Sequence, residues 1–291
     1  MNNHVPRQVS FECLCAAVSR GDGLSALPQD VVRALQHAPG PLVLTDFAGR
    51  DSVAAAMAWM EDHPGGTLLP VGDLVPARYG DWSVYESNWR SLRDQVASRF
   101  PKVLVAPWFV MADEASWHIL AERHRDALTA RFGFFTPCLG CHLHFYMMRA
   151  VLAHVVGAQV LVSGEKELHR NNRRKANQTR EAVESYTAFS RHHGVDHQFP
   201  IHKVSAEEEM ERLLGEGWRE GERQLPCTAS GNDRGPDGRL TMTPGQIRSF
   251  MEDFAVPLAT TLVELRRTCV TDEALLGRSA ETAEVLLWRA T

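Results

Sequence analysis

The sequence predicts an α/β fold, a mostly parallel sheet with helices on both faces and helical extensions at its N- and C-terminal ends. Three observations carry the prediction. Short apolar runs of strand length recur at Leu42–Leu44, Thr67–Val71, Lys102–Val110 and Gln159–Val162. Between them lie segments with apolar residues at helical spacing, and such alternation marks parallel βαβ units. Breakers such as His63-Pro64-Gly65-Gly66 punctuate the elements.

With 291 residues the chain can bury a large core, in one domain or in one domain with an appendage. No run approaches the roughly 18 apolar residues of a membrane span, and the N-terminus lacks an apolar signal-peptide core. A cytoplasmic protein is expected. Six cysteines in so long a chain do not form a secreted disulfide framework; buried thiols, metal ligands or reactive thiols are expected. A net charge of −5 supplies no general attraction to nucleic acid, which is therefore not the expected partner.

In chain order, residues 1–40 read as a helical lead-in, with VSFECLCAAVSR and PQDVVRALQHA at helical spacing and a stop at Pro39-Gly40-Pro41. Cys13 and Cys15 lie here and read as inert thiols. Residues 41–205 carry the alternating pattern and residues 206–291 a mostly helical C-terminal part. Within the middle region, Asn88–Arg99, Glu114–Ala130, Phe145–Val156 and Thr179–His192 read as helices, and His197–Val204 as a further strand. The C-terminal part opens with an acidic helix, Ala206–Gly215. It ends on a long helix from Thr243 to about Arg267, with a kink at Pro257.

The first strand runs into Phe47-Ala48-Gly49-Arg50-Asp51-Ser52 and then an alanine-rich helix to Met60. A turn of this kind sits beyond the carboxyl end of a strand, where α/β sheets bind ligands. The opening N–H groups of the helix lack intrahelical partners and the dipole favours an anion, so a phosphate is the natural guest. Gly49 allows close backbone approach and Ser52 adds a hydroxyl donor. The alternative is a plain junction with Asp51 or Ser52 as N-cap.

This turn resembles the pyrophosphate loop of the PP-loop ATP pyrophosphatases, S-G-G-x-D-S. Gly49, Asp51 and Ser52 match; Phe47 stands for the Ser and Ala48 for the first Gly. The resemblance implies a Rossmann-like domain over 41–205 that binds ATP and Mg2+, adenylates a carbonyl oxygen and releases pyrophosphate. Ala48, Gly49, Arg50, Asp51 and Ser52 would hold the nucleotide.

Cys138 and Cys141 form a C-x2-C at a helix start, a spacing that suggests a metal site, an iron–sulfur cluster or a redox pair. The order of loop, Cys138, Cys141 and Cys227 is similar to the cluster-dependent sulfur-inserting members of the superfamily. There, three cysteines hold a [4Fe-4S] cluster. The surroundings of the pair are similar to the small-molecule branch that forms 6-thioguanine. A second reading makes one of Cys138 and Cys141 a persulfide carrier, its thiol pKa lowered by the helix N-terminus and helped by His142. A third puts structural zinc on the pair with His142 or His144. Cluster and persulfide stand level, with zinc behind both.

Two loops supply further candidates. Asp73, Arg78 and Trp82 follow the second strand and are candidates for reading a base or substrate. In Ser163–Gln178, Glu165 is a candidate for orienting water or magnesium. Arg173, Arg174 and Lys175 would neutralise a triphosphate, and Asn177 and Gln178 suit a planar amide or nucleobase edge. Gly231–Arg234 is a candidate closing segment.

The expected activity is ATP-dependent replacement of a lactam or amide oxygen by sulfur on a small nucleobase-like substrate such as guanine. The sulfur would come from a donor such as a cysteine desulfurase, and a homodimer is compatible with the chain. The alternatives are a tRNA thiolase carrying a [4Fe-4S] cluster, or an ATP-dependent amide- or nitrile-forming ligase with zinc.

Overall fold

The computed structural model describes residues 6–167, 174–215, 218, 222–268 and 271–288. Its centre is a seven-stranded sheet of β1 (Gln8–Ser10), β2 (Leu42–Asp46), β3 (Gly66–Leu74), β4 (Val103–Val105), β5 (Phe109–Ala112), β6 (Val160–Val162) and β7 (Asp196–Gln198). The order is β1-β5-β3-β2-β6-β7, with β4 also beside β3, and each of these pairings is parallel. The predicted α/β class and parallel sheet are what the chain forms.

The helices are α1 (Phe11–Ser19), α2 (Gln29–Gln36), α3 (Arg50–Asp62), α4 (Ser83–Arg99), α5 (Glu114–Ala121) and α6 (Arg125–Phe132). They continue with α7 (Pro137–Val156), α8 (Arg180–His192), α9 (Glu207–Leu214), α10 (Pro244–Phe250), α11 (Val256–Arg267) and α12 (Asp272–Trp288). Two apolar cores cover the two sheet faces. One packs α3, α4 and α9 around Val53, Met57, Leu92 and Leu213. The larger one centres on α7, whose residues from Leu143 to Ala153 are buried, with α1, α8, α10 and α11 around it. Ala54, Ala55 and Ala56 let α3 lie close on its sheet face.

Several expected elements differ for local reasons. The lead-in is not purely helical: β1 pairs with β5 from Gln8↔Val110 to Ser10↔Ala112, and Ser10 then caps α1. The run Lys102–Val110 is two strands, because Pro107 has no N–H to extend a ladder. β4 therefore lies along Gly66–Leu68 of β3, and β5 along Val71–Leu74. β7 is short, and Pro200 follows it closely. The expected helix Glu114–Ala130 is broken into α5 and α6, while α7 begins at Pro137, a turn and more before Phe145. The long C-terminal helix contains a π segment, Met251–Ala255, just before Pro257, which absorbs the hydrogen bond that Pro257 cannot donate. α12 was not foreseen. No helix among the described residues is long and apolar enough to cross a membrane.

The chain builds outward from β2 through β3 to β5, then crosses back to place β6 on the other side of β2. The carboxyl ends of β2 and β6 thus flank a topological switch point, the position where open α/β sheets bind ligands.

Candidate functional site

The turn after β2 is held by its own side chains. Ser52 Oγ accepts from Ala48 N at 2.9 Å and Gly49 N at 3.1 Å and donates to Gly49 O at 2.8 Å. Its hydroxyl therefore braces the turn, where the sequence suggested a donor to phosphate. Phe47 turns inward, buried edge-on against Tyr85 with ring centroids 6.0 Å apart. Asn88 Nδ2 spans Ala48 O at 3.1 Å and Arg223 O at 2.8 Å, tying the turn to the C-terminal part. The Arg50 guanidinium pairs with Glu207 of α9. The first turn of α3, Arg50 to Ser52, faces a cavity.

That cavity, about 400 Å³, opens at the carboxyl edge of the sheet. Ala48, Gly49, Arg50, Asp51 and Ser52 line it together with Cys138, Cys141 and Cys227 and with Glu165, Lys175, Asn177 and Gln178. Residues from four separated stretches of sequence thus meet in one place. Among the predicted nucleotide contacts, Asp73 and Arg174 do not line the cavity.

Asp73 lies buried beside the cavity without lining it. With Asp46 it shares Arg149, a fully buried guanidinium on α7, at 2.8 Å and 3.1 Å. Arg149 also donates to the carbonyls of Val71 and Gly72 at 2.8 and 3.2 Å. Burial raises the Asp73 carboxyl to about 7, with Arg149 opposing and Asp46 adding to the rise. Asp73 is therefore a structural partner of Arg149, and Asp46 is the carboxylate that reaches the cavity. Asp46 and Arg149 escaped the sequence reading. Arg149 had a visible signal, a lone charge in the apolar stretch Phe145–Val156.

The cysteines arrive by two routes. Thr136 caps α7, accepting from Cys138 N at 3.3 Å, which puts Cys138 and Cys141 in its first turn. Cys227 is fixed by an antiparallel bridge to Arg78, with Thr228 N donating to Ala77 O at 2.8 Å. The Cys138 thiol lies 3.6 Å from Ala229 O, and Cys141 Sγ accepts from Trp117 Nε1 at 3.1 Å. Burial, with the Asp233 carboxylate nearby, pushes Cys138 up to about 12, and burial pushes Cys141 up as well. The expected lowering by the helix N-terminus is overturned, since desolvation outweighs the dipole.

The zinc reading also fails on geometry. Among the described residues no three His, Cys, Asp or Glu side chains converge on a single-ion site. His144 is buried with Nε2 on Asp113 O at 3.0 Å, and His142 is engaged by Glu165. Cys138, Cys141 and Cys227 all line the cavity.

Glu165 follows β6 as the centre of a polar cluster. Oε1 accepts from His142 Nδ1 at 2.6 Å and from the Tyr146 hydroxyl at 2.7 Å, and Oε2 from Asn177 Nδ2 at 3.1 Å. Burial works against its charge, but His142, Tyr146 and Gln178 hold it down at about 2. Lys175 lines the cavity with no ion-pair partner among the described residues. Arg174 points to Glu167 at 3.6 Å outside the cavity, and Arg173 lies outside the described residues. Trp82 packs on Tyr85 and does not reach the cavity, while Arg78 does, donating to Tyr85 Oη at 2.8 Å. Asp233, buried within the expected closing segment, accepts from Ala176 N at 2.7 Å and ties the Cys227 segment to Lys175–Gln178. Gly231, Asp233 and Arg234 of the expected closing segment line the cavity.

No protein-family model matches the chain. The chain is similar to an uncharacterised protein of Methanocaldococcus jannaschii, 27% identical over 223 residues that cover 77% of this chain and 80% of that one. Among solved structures it is similar to a 4-thiouridine synthetase in complex with RNA and bound ATP. That likeness has 16% identity and a TM-score of 0.45, covering 79% of this chain and 54% of the synthetase, so the chain spans about half of that protein. It is also similar to the tRNA thiolase NcsA of Methanococcus maripaludis with its [4Fe-4S] cluster, at 12% identity and a TM-score of 0.36, covering 94% of this chain and 80% of that one.

Proposed function

We propose that this protein is an ATP-dependent sulfurtransferase of the PP-loop type, acting on the carbonyl of a small nucleobase-like lactam such as guanine. One observation carries the reading: the turn after β2 and three thiols line a single cavity at the switch point of the sheet.

ATP would set its phosphates against the first turn of α3, where the helix dipole favours negative charge, with Lys175 neutralising it. A magnesium ion carried by the nucleotide would turn to Asp46 and Asp51, the two carboxylates on that side of the cavity. The substrate's carbonyl oxygen attacks the α-phosphorus, the bond to pyrophosphate breaks, and an adenylated lactim forms. A sulfide equivalent then attacks the same carbon and AMP leaves with the original oxygen.

Sulfide supply has two routes, and both use Cys138, Cys141 and Cys227. One is a persulfide on one of the cysteines, handed on from a donor such as a cysteine desulfurase. Its terminal sulfur would attack the carbon as AMP leaves, and a second cysteine of the three would cleave the resulting disulfide, freeing the thione and leaving a Cys–Cys disulfide for an external thiol to reduce. The other is a [4Fe-4S] cluster held by the three thiolates, which would supply an iron able to carry sulfide. A tRNA thiolase is the second reading, since a base presented by RNA offers the same carbonyl.

The test incubates anaerobically purified protein with ATP, magnesium, sulfide, and either free nucleobases or tRNA transcript. Pyrophosphate, AMP and a thionated product are expected, with Cys227→Ser losing the thionated product. ADP and phosphate in their place would overturn the reading.

A further inference from the structure

Asn177 is 3% exposed and sits in a short helical turn, Ala176–Gln178, clamped at both ends. Ala176 N donates to Asp233 Oδ2 at 2.7 Å, and Thr179 Oγ1 donates to Ala176 O at 2.8 Å. The orientation of its amide is forced by chemistry. An ionised carboxylate only accepts, so Glu165 Oε2, 3.1 Å from Asn177 Nδ2, must face the NH2 group. The same nitrogen rests against the His142 imidazole, 3.2 Å from Nε2 and 3.4 Å from Nδ1.

Both contacts use Nδ2, and Oδ1 is left over. Asn177 lines the cavity, and Oδ1 is the end of its amide turned from Glu165. Glu165, by contrast, spends both oxygens inside the protein. It is a positioning residue that aims Asn177 and His142.

We infer that Asn177 Oδ1 is the specificity-determining acceptor of this site, selecting a cyclic amide whose ring nitrogen beside the reacting carbonyl still carries its hydrogen. The inference rests on the sulfurtransferase reading for the presence of that carbonyl. An acceptor buried and fixed in advance gains from a substrate N–H and is left desolvated by an N-alkylated one, a difference of about tenfold or more in affinity. A free base and a base presented by an RNA loop offer the same N–H edge, and the experiment separates them.

The full chain is titrated calorimetrically, with a non-hydrolysable ATP analogue present, against hypoxanthine, uracil and their ring-N-methylated counterparts. A second arm uses an RNA hairpin carrying uridine or N-methyluridine. Pyrophosphate release from ATP is measured with the same panel. The wild type is expected to favour the N–H form about tenfold or more, in the free-base arm if the substrate is a small molecule and in the hairpin arm if it is RNA. Asn177→Leu should erase the preference, and Glu284→Gln, an exposed change on α12 outside the cavity, should keep it. Equal binding of both forms, no binding of either, or a preference that survives in Asn177→Leu would each overturn the inference. Discrimination without pyrophosphate release upholds the acceptor while overturning the reaction.

Discussion

Gly164 lies with its backbone against Asp51: a Cβ built on Gly164 would sit 2.5 Å from the Asp51 carbonyl carbon and 2.6 Å from Ser52 N. The loop after β6 is thereby pressed onto the loop after β2, which puts Glu165 next to the phosphate turn. Both atoms it would meet are backbone, so neither moves cheaply. Gly164→Ala is expected to cost about 1–3 kcal/mol and to weaken ATP binding more than a distant variant of equal instability. Thermal unfolding paired with nucleotide titration checks this, and unchanged ATP affinity would contradict it.

Phe47 occupies the position where the PP-loop pattern has serine, yet it is part of the core through Tyr85. Restoring the pattern with Phe47→Ser should therefore damage the protein. The expected loss is about 3–5 kcal/mol, as for other large-to-small changes of buried aromatics, with no gain in ATP affinity. Denaturant unfolding and nucleotide titration report both; tighter ATP binding in the variant would show that Phe47 had replaced a phosphate ligand.

Much of this layout was legible in sequence, and the reasons are local. Strand–helix alternation and the Gly and Pro breakers act over a few residues, so β2, α3, α4 and α8 could be read directly. The thiols could be named because cysteine is rare and its spacing is chemical. Asp46 and Arg149 could not, because their roles come from partners far away in the chain. Asp73 misled for the same reason: a carboxylate after a strand looks like a ligand contact until Arg149 is seen beneath it. The Cys138 pKa was misjudged because sequence shows the helix end but not the burial that overrides it.

The pair of carboxylates on Arg149 makes a pH signature. Asp73 is raised by burial to about 7, against an unfolded value of about 4. Between those values the folded chain binds more protons than the unfolded one, so this group's contribution falls as pH rises from about 4 to about 7. Asp73→Asn should remove that slope, its stability rising relative to wild type across the window. Urea unfolding of both at several pH values decides, and a difference that is flat or of opposite sign would count against it. Arg149→Met should cost about 3–5 kcal/mol by leaving buried carboxylates unpaired, and Asp73→Asn should recover part of that loss.

Glu165 acts in the opposite sense. Its pKa of about 2 is below the ordinary carboxylate value, so its stabilisation is present above about pH 4 and lost as pH falls toward 2. Glu165→Gln should flatten that acid limb. It should also lower kcat, because the Gln amide cannot accept from His142, Tyr146 and Asn177 together. An acid limb unchanged from wild type would show that the carboxylate is not held charged.

The central claim is that the substrate's carbonyl oxygen is activated by adenylation and leaves with AMP. Substrate labelled with heavy oxygen at that carbonyl, incubated with ATP, magnesium and sulfide, tests it directly by mass spectrometry of the nucleotide. The label is expected in the phosphate of AMP, one atom for each thionated product. Label retained in the product or released to water, or nucleotide recovered as ADP, would contradict it.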